Sequence, residues 1–150
     1  MSERITSHLL RRAVQLSIPF SATVELTARC NLKCPHCYLE PRTGNELGET
    51  DWRHVLKQLA DLKTFQLCFT GGEAFLRDDF LSLLHYAHEL RFNTTVMSNL
   101  TQMTAEVAAE LADCSIRAVY ASLYFANSVD HDRFTGQPGS FAATLSGIEH

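Results

Sequence analysis

The chain has 150 residues, 45% of them hydrophobic and 20% charged, with a net charge of −4; this is the profile of one globular domain able to bury roughly two-thirds of its unfolded surface. The mild acidity and the lack of a basic stripe argue against nucleic acid as a partner. Met1 to Phe20 holds short apolar pieces broken by Glu3, Arg4, Arg11 and Arg12, and no later stretch is long and apolar enough for a bilayer, so neither a signal peptide, a membrane span nor a membrane partner is expected and the setting is cytoplasmic.

Residues 1–19 read as an N-terminal extension and 20–150 as a core in which apolar periodicity switches between two and about 3.6 residues, the pattern of strands alternating with helices. The first strand is expected near Ser21 to Thr27, where Ala22, Val24 and Leu26 alternate with polar neighbours. A cysteine-containing loop and the turn-rich Pro41 to Gly48 follow. Trp52, Val55, Leu56, Leu59 and Leu62 then recur at helical spacing, with Thr50 as N-cap. A second strand spans Phe65 to Thr70. The next helix runs from about Asp78 to Leu90, with Phe80, Leu83, Leu84 and Ala87 on one face and two aspartates at its favourable end. The third strand is Thr94 to Met97, followed by a helix from Thr104 that turns Val107, Ala108 and Leu111 inward. A fourth strand spans Arg117 to Leu123. The last helix begins near Ser140 with Phe141, Thr144, Leu145 and Ile148, and the chain stops inside it.

Chemistry concentrates in Cys30-Asn-Leu-Lys-Cys34-Pro-His-Cys37, which offers three thiolates to one metal centre and no fourth. A [4Fe–4S] cluster used for electron transfer normally takes four protein thiolates, so three leave one iron open, and an open metal position is where chemistry happens. Zinc is the alternative, but no downstream Cys-x-x-Cys or His-x-x-x-His completes a closed site, and His36 adjoins Cys37 too closely for both to turn onto one ion. The odd cysteine count and the crowding of three into eight residues argue against a disulfide framework. Cys68 and Cys114 stand alone in apolar stretches and read as small buried hydrophobes. His85 and His88 read as a solvated helix face, and Asp130-His131-Asp132 as a helix start or turn.

The alternating order implies a parallel sheet with right-handed crossovers and outer helices, and ligands of such sheets bind at the carboxyl ends of the strands. Cys30, Cys34 and Cys37 follow the first strand, Gly71-Gly72-Glu73 the second and Ser98-Asn99 the third, while Ser122 closes the fourth. Alone, each has an ordinary explanation: Gly-Gly makes turns, a loop glutamate is solvated, and Ser-Asn caps or turns. Together they fall on one rim.

These segments resemble the radical S-adenosylmethionine (SAM) enzymes. The cysteine loop is similar to that family's Cys-x3-Cys-x2-Cys signature, and Thr70-Gly-Gly-Glu73-Ala-Phe-Leu-Arg77 to its Gly-Gly-Glu segment. Met97-Ser-Asn-Leu-Thr101 resembles the third-strand motif. Ala121-Ser-Leu-Tyr124, His131-Asp-Arg-Phe-Thr-Gly136 and Gly139-Ser-Phe141 resemble the fourth unit.

The resemblance implies an α/β fold of about four parallel βα units, part of an incomplete (β/α)6 barrel. It implies that Cys30, Cys34 and Cys37 hold a [4Fe–4S] cluster whose open iron is chelated by the methionine end of SAM. Glu73 would contact the SAM ammonium, Gly71 and Gly72 would admit close backbone approach, and His36 would lie against the adenine. Ser98, Asn99 and Ser122 would serve ribose and carboxylate contacts, and Tyr124 takes no role. The implied reaction is reductive cleavage of SAM to a 5′-deoxyadenosyl radical that abstracts hydrogen from a substrate, with the electron coming from a donor such as flavodoxin or ferredoxin.

The segments around Ser122 and Gly136 are most similar to SPASM-type members, which modify peptides or proteins. Four units instead of six imply a core shortened at its C-terminus, with the fourth strand an exposed edge. Two alternatives stay open here: an inactive cluster- or SAM-binding module completed by another chain, and a structural zinc protein.

Overall fold

A computed structural model describes residues 2–39 and 46–150. The expected turn segment therefore lies outside the described residues from Pro41 to Asn45. The elements are α1 (Ser2–Gln15), β1 (Ser21–Glu25), α2 (Glu49–Asp61), β2 (Gln66–Thr70), a 3-10 turn (Ala74–Leu76), α3 (Phe80–Glu89), β3 (Asn93–Ser98), α4 (Ala105–Asp113), β4 (Ala118–Ala121), α5 (Ser128–Thr135) and α6 (Ser140–Glu149).

The strands form one parallel sheet in the order β1-β2-β3-β4. Its register aligns Val24 with Phe69, Phe69 with Val96, and Val96 with Val119. Those residues face the helices, and with Leu56, Leu67, Phe80, Leu83 and Leu84 they make the core, where Phe69 and Phe80 meet edge to face at 5.7 Å. The alternate residues Thr23, Cys68 and Thr95 share the opposite face. Cys68 is accordingly only half-buried, a correction to its reading as a core residue, whereas Cys114 is buried as expected.

Other departures have local causes. The extension is helical in α1, and its Leu9, Leu10 and Val14 stay exposed. α2 starts one residue before Thr50, with Gly48 in the cap position and no side-chain cap bond. Thr104 does cap α4, accepting from Val107 N. Asp130-His131-Asp132 lies inside α5, whose cap is Asn127. α6 packs by Ser140, Thr144 and Gly147 while Leu145 and Ile148 remain exposed. Close packing selects this face: a Cβ on Gly147 would meet the Leu100 and Met103 Cβ atoms at 3.0 Å, so the smooth face of α6 is the one that fits. Among the described residues no helix is long and apolar enough to cross a membrane.

Candidate cluster and cofactor site

β1 and β2 remain tied beyond their ends, and this sets the start of the cysteine loop. Gly72 N donates to Thr27 O and Glu73 N to Arg29 O, both at 2.8 Å. Gly71, at φ 138°, and Gly72 lie so close to this backbone that a Cβ on either would land on the carbonyl oxygen of Thr27 or Arg29. The close approach that the glycines permit is therefore first an approach to the cysteine loop itself.

Residues from β2 and the far side of the loop reinforce the same point. The buried Arg77 guanidinium donates to Leu26 O at 2.9 Å and Leu47 O at 3.1 Å and forks onto Asp79. Glu46 accepts from the Thr27 hydroxyl and Ala28 N and pairs with Arg29. Burial pushes the Glu46 carboxyl up, but these donors and Arg77 outweigh it and hold it below its ordinary value.

Within the loop, Cys30 Sγ accepts from Leu32 N at 3.4 Å and lies 3.8 Å from Asn99 Nδ2. Asn99 Nδ2 also donates to Asn31 Oδ1, and Asn31 Nδ2 donates to Thr101 Oγ1. Lys33 N donates to Thr135 O at 2.7 Å, fastening the loop to the end of α5. Burial is the largest influence on both Cys30 and Cys34 and raises both thiols; a bound metal overrides this, because ligation requires thiolate.

The loop and the strand ends enclose a cavity of about 270 Å³ lined by Cys30, Cys34, His36, Cys37, Gly71, Gly72, Ser98, Asn99 and Ser122, together with Tyr38, Thr70, Met97 and Tyr124. Nine of the ten residues singled out in the sequence thus share one space. Glu73 stands behind it, fully buried, accepting from Phe75 N at 3.1 Å, Asn99 N at 2.8 Å and Ser98 Oγ at 2.8 and 3.0 Å. In this structure its carboxylate is enclosed and organises the end of β3. Burial raises its pKa, against the lowering effect of these donors. Asn99 likewise turns its amide to the cysteine loop, and the Ser98 hydroxyl is engaged with Glu73.

His36 lines the cavity with Phe134 stacked on it at 5.1 Å and Tyr124 edge-on at 5.0 Å. Tyr124 was given no role from the sequence, yet it lines the same cavity as the three cysteines and holds the His36 ring edge-on. No sequence signal marks it beyond its place two residues after Ser122. His85 also departs from expectation: Nε2 lies 2.6 Å from Glu110 Oε2 and Nδ1 3.3 Å from Cys114 Sγ, so it bridges α3 and α4, whereas His88 is exposed as expected.

The donor set fits an open iron–sulfur cluster. Three thiols line one cavity with no fourth cysteine among its described lining residues, and Cys30 receives N–H donors of the kind that favour cluster thiolates. Among the described residues no three His, Cys, Asp or Glu side chains, the three cysteines included, are drawn together closely enough to hold one metal ion.

The chain is 35% identical over 136 residues to "PqqA peptide cyclase" of Rhodopseudomonas palustris, covering 89% of this chain and 36% of that protein. It is 32% identical over 128 residues to "AdoMet-dependent heme synthase" of Methanosarcina barkeri, covering 83% and 37%. The chain thus spans about a third of the length of these curated relatives. In structure it resembles Streptococcus suis SuiB bound to its precursor peptide SuiA, with TM-score 0.73 and 22% identity, covering 93% of this chain and 33% of SuiB. SuiB bound to S-adenosylmethionine gives 0.71 over 94% of this chain and 33% of SuiB, again at 22% identity. The four parallel strands with their helices match part of these structures. The family model described as "Radical SAM superfamily" matches residues 24–150, and the chain belongs to that superfamily.

Proposed function

We propose that Cys30, Cys34 and Cys37 hold a [4Fe–4S] cluster whose open iron takes SAM, and that the assembled site acts on a peptide or protein substrate. When bound, cluster and SAM supply the one-electron reductive cleavage that releases methionine and leaves a 5′-deoxyadenosyl radical for hydrogen abstraction. The observation carrying this reading is that Cys30, Cys34 and Cys37 and the ends of β2, β3 and β4 line one cavity.

The protein's own work is positioning. Gly71 and Gly72 leave backbone, without side chains, against the cavity. Ser122 presents a hydroxyl at the rim beside Tyr124. His36, held against Phe134, offers a flat ring for the adenine. Glu73 acts at one remove, holding Ser98 and the Asn99 amide in place. A peptide or protein substrate is supported by the peptide cyclase relative and by the peptide-bound state of SuiB, and the heme synthase relative makes a tetrapyrrole the competing substrate class. The electron would come from a small donor protein of the flavodoxin or ferredoxin kind, in the cytoplasm.

The test is anaerobic reconstitution with iron and sulfide, followed by SAM and dithionite, with 5′-deoxyadenosine measured. The expected result is about four irons per chain and product that disappears in Cys34→Ala. Cluster uptake with SAM binding but no cleavage would make the chain a binding module. Stoichiometric colourless zinc with no iron uptake would establish the zinc reading instead.

A further inference from the structure

We infer that the open face of the sheet is the wall against which an extended peptide substrate lies, and that Arg117 selects peptides carrying an acidic side chain. The inference rests on the proposed action on a peptide or protein and narrows it.

Alternation along the strands sends Val24, Phe69 and Val96 into the core and leaves Thr23, Cys68 and Thr95 on the opposite face. A second cavity, of about 210 Å³, opens on that face. It takes Ser21 and Thr23 from β1, Gln66 from β2, Asn93 from β3 and, just before β4, Arg117. Met97 lines both this cavity and the cysteine cavity, so the two adjoin. The face is open, with Met97 47% and Tyr120 52% exposed. A molecule seated in the second cavity therefore lies next to the three cysteines.

The chemistry of the wall suits a peptide. The side chains of Ser21, Thr23, Gln66 and Asn93 have no hydrogen-bond partner among the described residues. Two hydroxyls and two amides together offer donors and acceptors, the complement of the N–H and C=O groups along an extended chain. A tetrapyrrole would lay an apolar ring over these groups, removing their water and returning no partner, which is the costly way to bury a polar group. Arg117 is the one charged side chain among the cavity's described lining residues, and no carboxylate among the described residues pairs with it. A guanidinium is planar, always charged, and carries donors spaced to meet a carboxylate two at a time. The side chain that fits is an aspartate or glutamate of the peptide.

The test immobilises the whole chain, without cluster or SAM, and offers it a pool of random octapeptides with acetylated N-termini and amidated C-termini. Every carboxylate in the pool is then a side chain. Retained peptides are sequenced by mass spectrometry for wild type, Arg117→Gln and Arg117→Glu. Wild type should enrich Asp and Glu over Asn and Gln by about tenfold, as one charge-assisted pair supplies. Arg117→Gln should lose that preference, and Arg117→Glu should turn it to Lys and Arg. A second measurement needs no variant: the Arg117 Nε–H resonance of the wild-type chain should shift with the best-retained acidic peptide and stay in place with its Gln or Asn counterpart. No acidic preference in wild type, the same preference in Arg117→Glu, or an Arg117 resonance indifferent to the peptide would each overturn the inference. So would a porphyrin with free propionates that binds wild type, excludes the peptides and loses affinity in Arg117→Gln. Iron uptake and SAM cleavage are read separately, so failure of the peptide selection with both intact overturns this inference alone, and their failure with the selection intact overturns the cluster chemistry instead.

Discussion

Replacing Gly72 by alanine should loosen the cysteine loop from the sheet. The added Cβ would be driven onto the Arg29 carbonyl oxygen and would stand 3.0 Å from that of Ala28. Both obstacles are backbone, so no flexible side chain can swing aside. The loop must move, and the bonds that cross at this point, Gly72 N to Thr27 O and Glu73 N to Arg29 O, move with it. Overpacking costs about 1–3 kcal/mol, and each hydrogen bond contributes about 1 kcal/mol, so the expected loss is about 2–5 kcal/mol. A chain of this length has roughly 8–22 kcal/mol to lose from.

With a urea slope of about 2.5 kcal/mol per molar, the unfolding midpoint should fall by about 1–2 M. Iron uptake should fall further than stability does, because Cys30 directly follows the displaced Arg29. Gly48→Ser is the matched control: nothing lies within 4 Å of its Cβ position, it occupies the cap of α2, and the change should be worth only a few tenths of a kcal/mol. Unchanged midpoint and unchanged iron in Gly72→Ala would refute the idea that contact between Gly72 and the loop backbone sets the position of the cysteines.

Asp132 holds the start of α6, accepting from Phe141 N, Gly139 N and Ser140 Oγ, and these donors depress its pKa below the ordinary aspartate value. The folded state therefore binds fewer protons than the unfolded one in that range, so its contribution is present above about pH 4 and is lost as pH falls through the folded value; the difference in melting temperature between wild type and Asp132→Asn should close over that interval. Phe69→Ala removes a ring that is fully buried and edge-on to Phe80, and should cost about 3–5 kcal/mol in denaturant unfolding.

The order and direction of the strands could be read from the sequence because the alternation of Ala22, Val24 and Leu26 and the helical spacing of Phe80, Leu83, Leu84 and Ala87 are local signals. The rim could be read because topology alone puts every post-strand segment at one end. What could not be read were contacts that depend on distance between segments. Glu73 looks like a solvated or ligand-facing carboxylate until β3 is laid beside β2, when the Asn99 and Phe75 amides and the Ser98 hydroxyl are found to enclose it. The spacing of Phe141, Thr144, Leu145 and Ile148 marks α6 as a helix but not which face packs, and it is Gly147 against Leu100 that makes the small residues the contact surface. His85 has no carboxylate or cysteine near it in sequence, and meets both only across the interface of α3 and α4.

The same contacts stiffen a site built from loops. Thr144 Oγ1 on α6 donates to Asn99 O at 2.9 Å, so the residue that Glu73 grips by its amide is gripped again by its carbonyl. Asn99 in turn reaches Asn31 and Cys30, and the end of α5 holds Lys33. A buried carboxylate whose donors withdraw is left as an uncompensated charge, which is far more costly than the loss of an ordinary hydrogen bond. Glu73 is such a carboxylate, with donors from the turn after β2 and the end of β3. Displacing either segment would strand it, so the burial that raises its pKa also penalises motion at the rim. The motif residues thus spend much of their bonding capacity on one another, leaving the three thiols, the glycine backbone and the His36 ring to face the cavity.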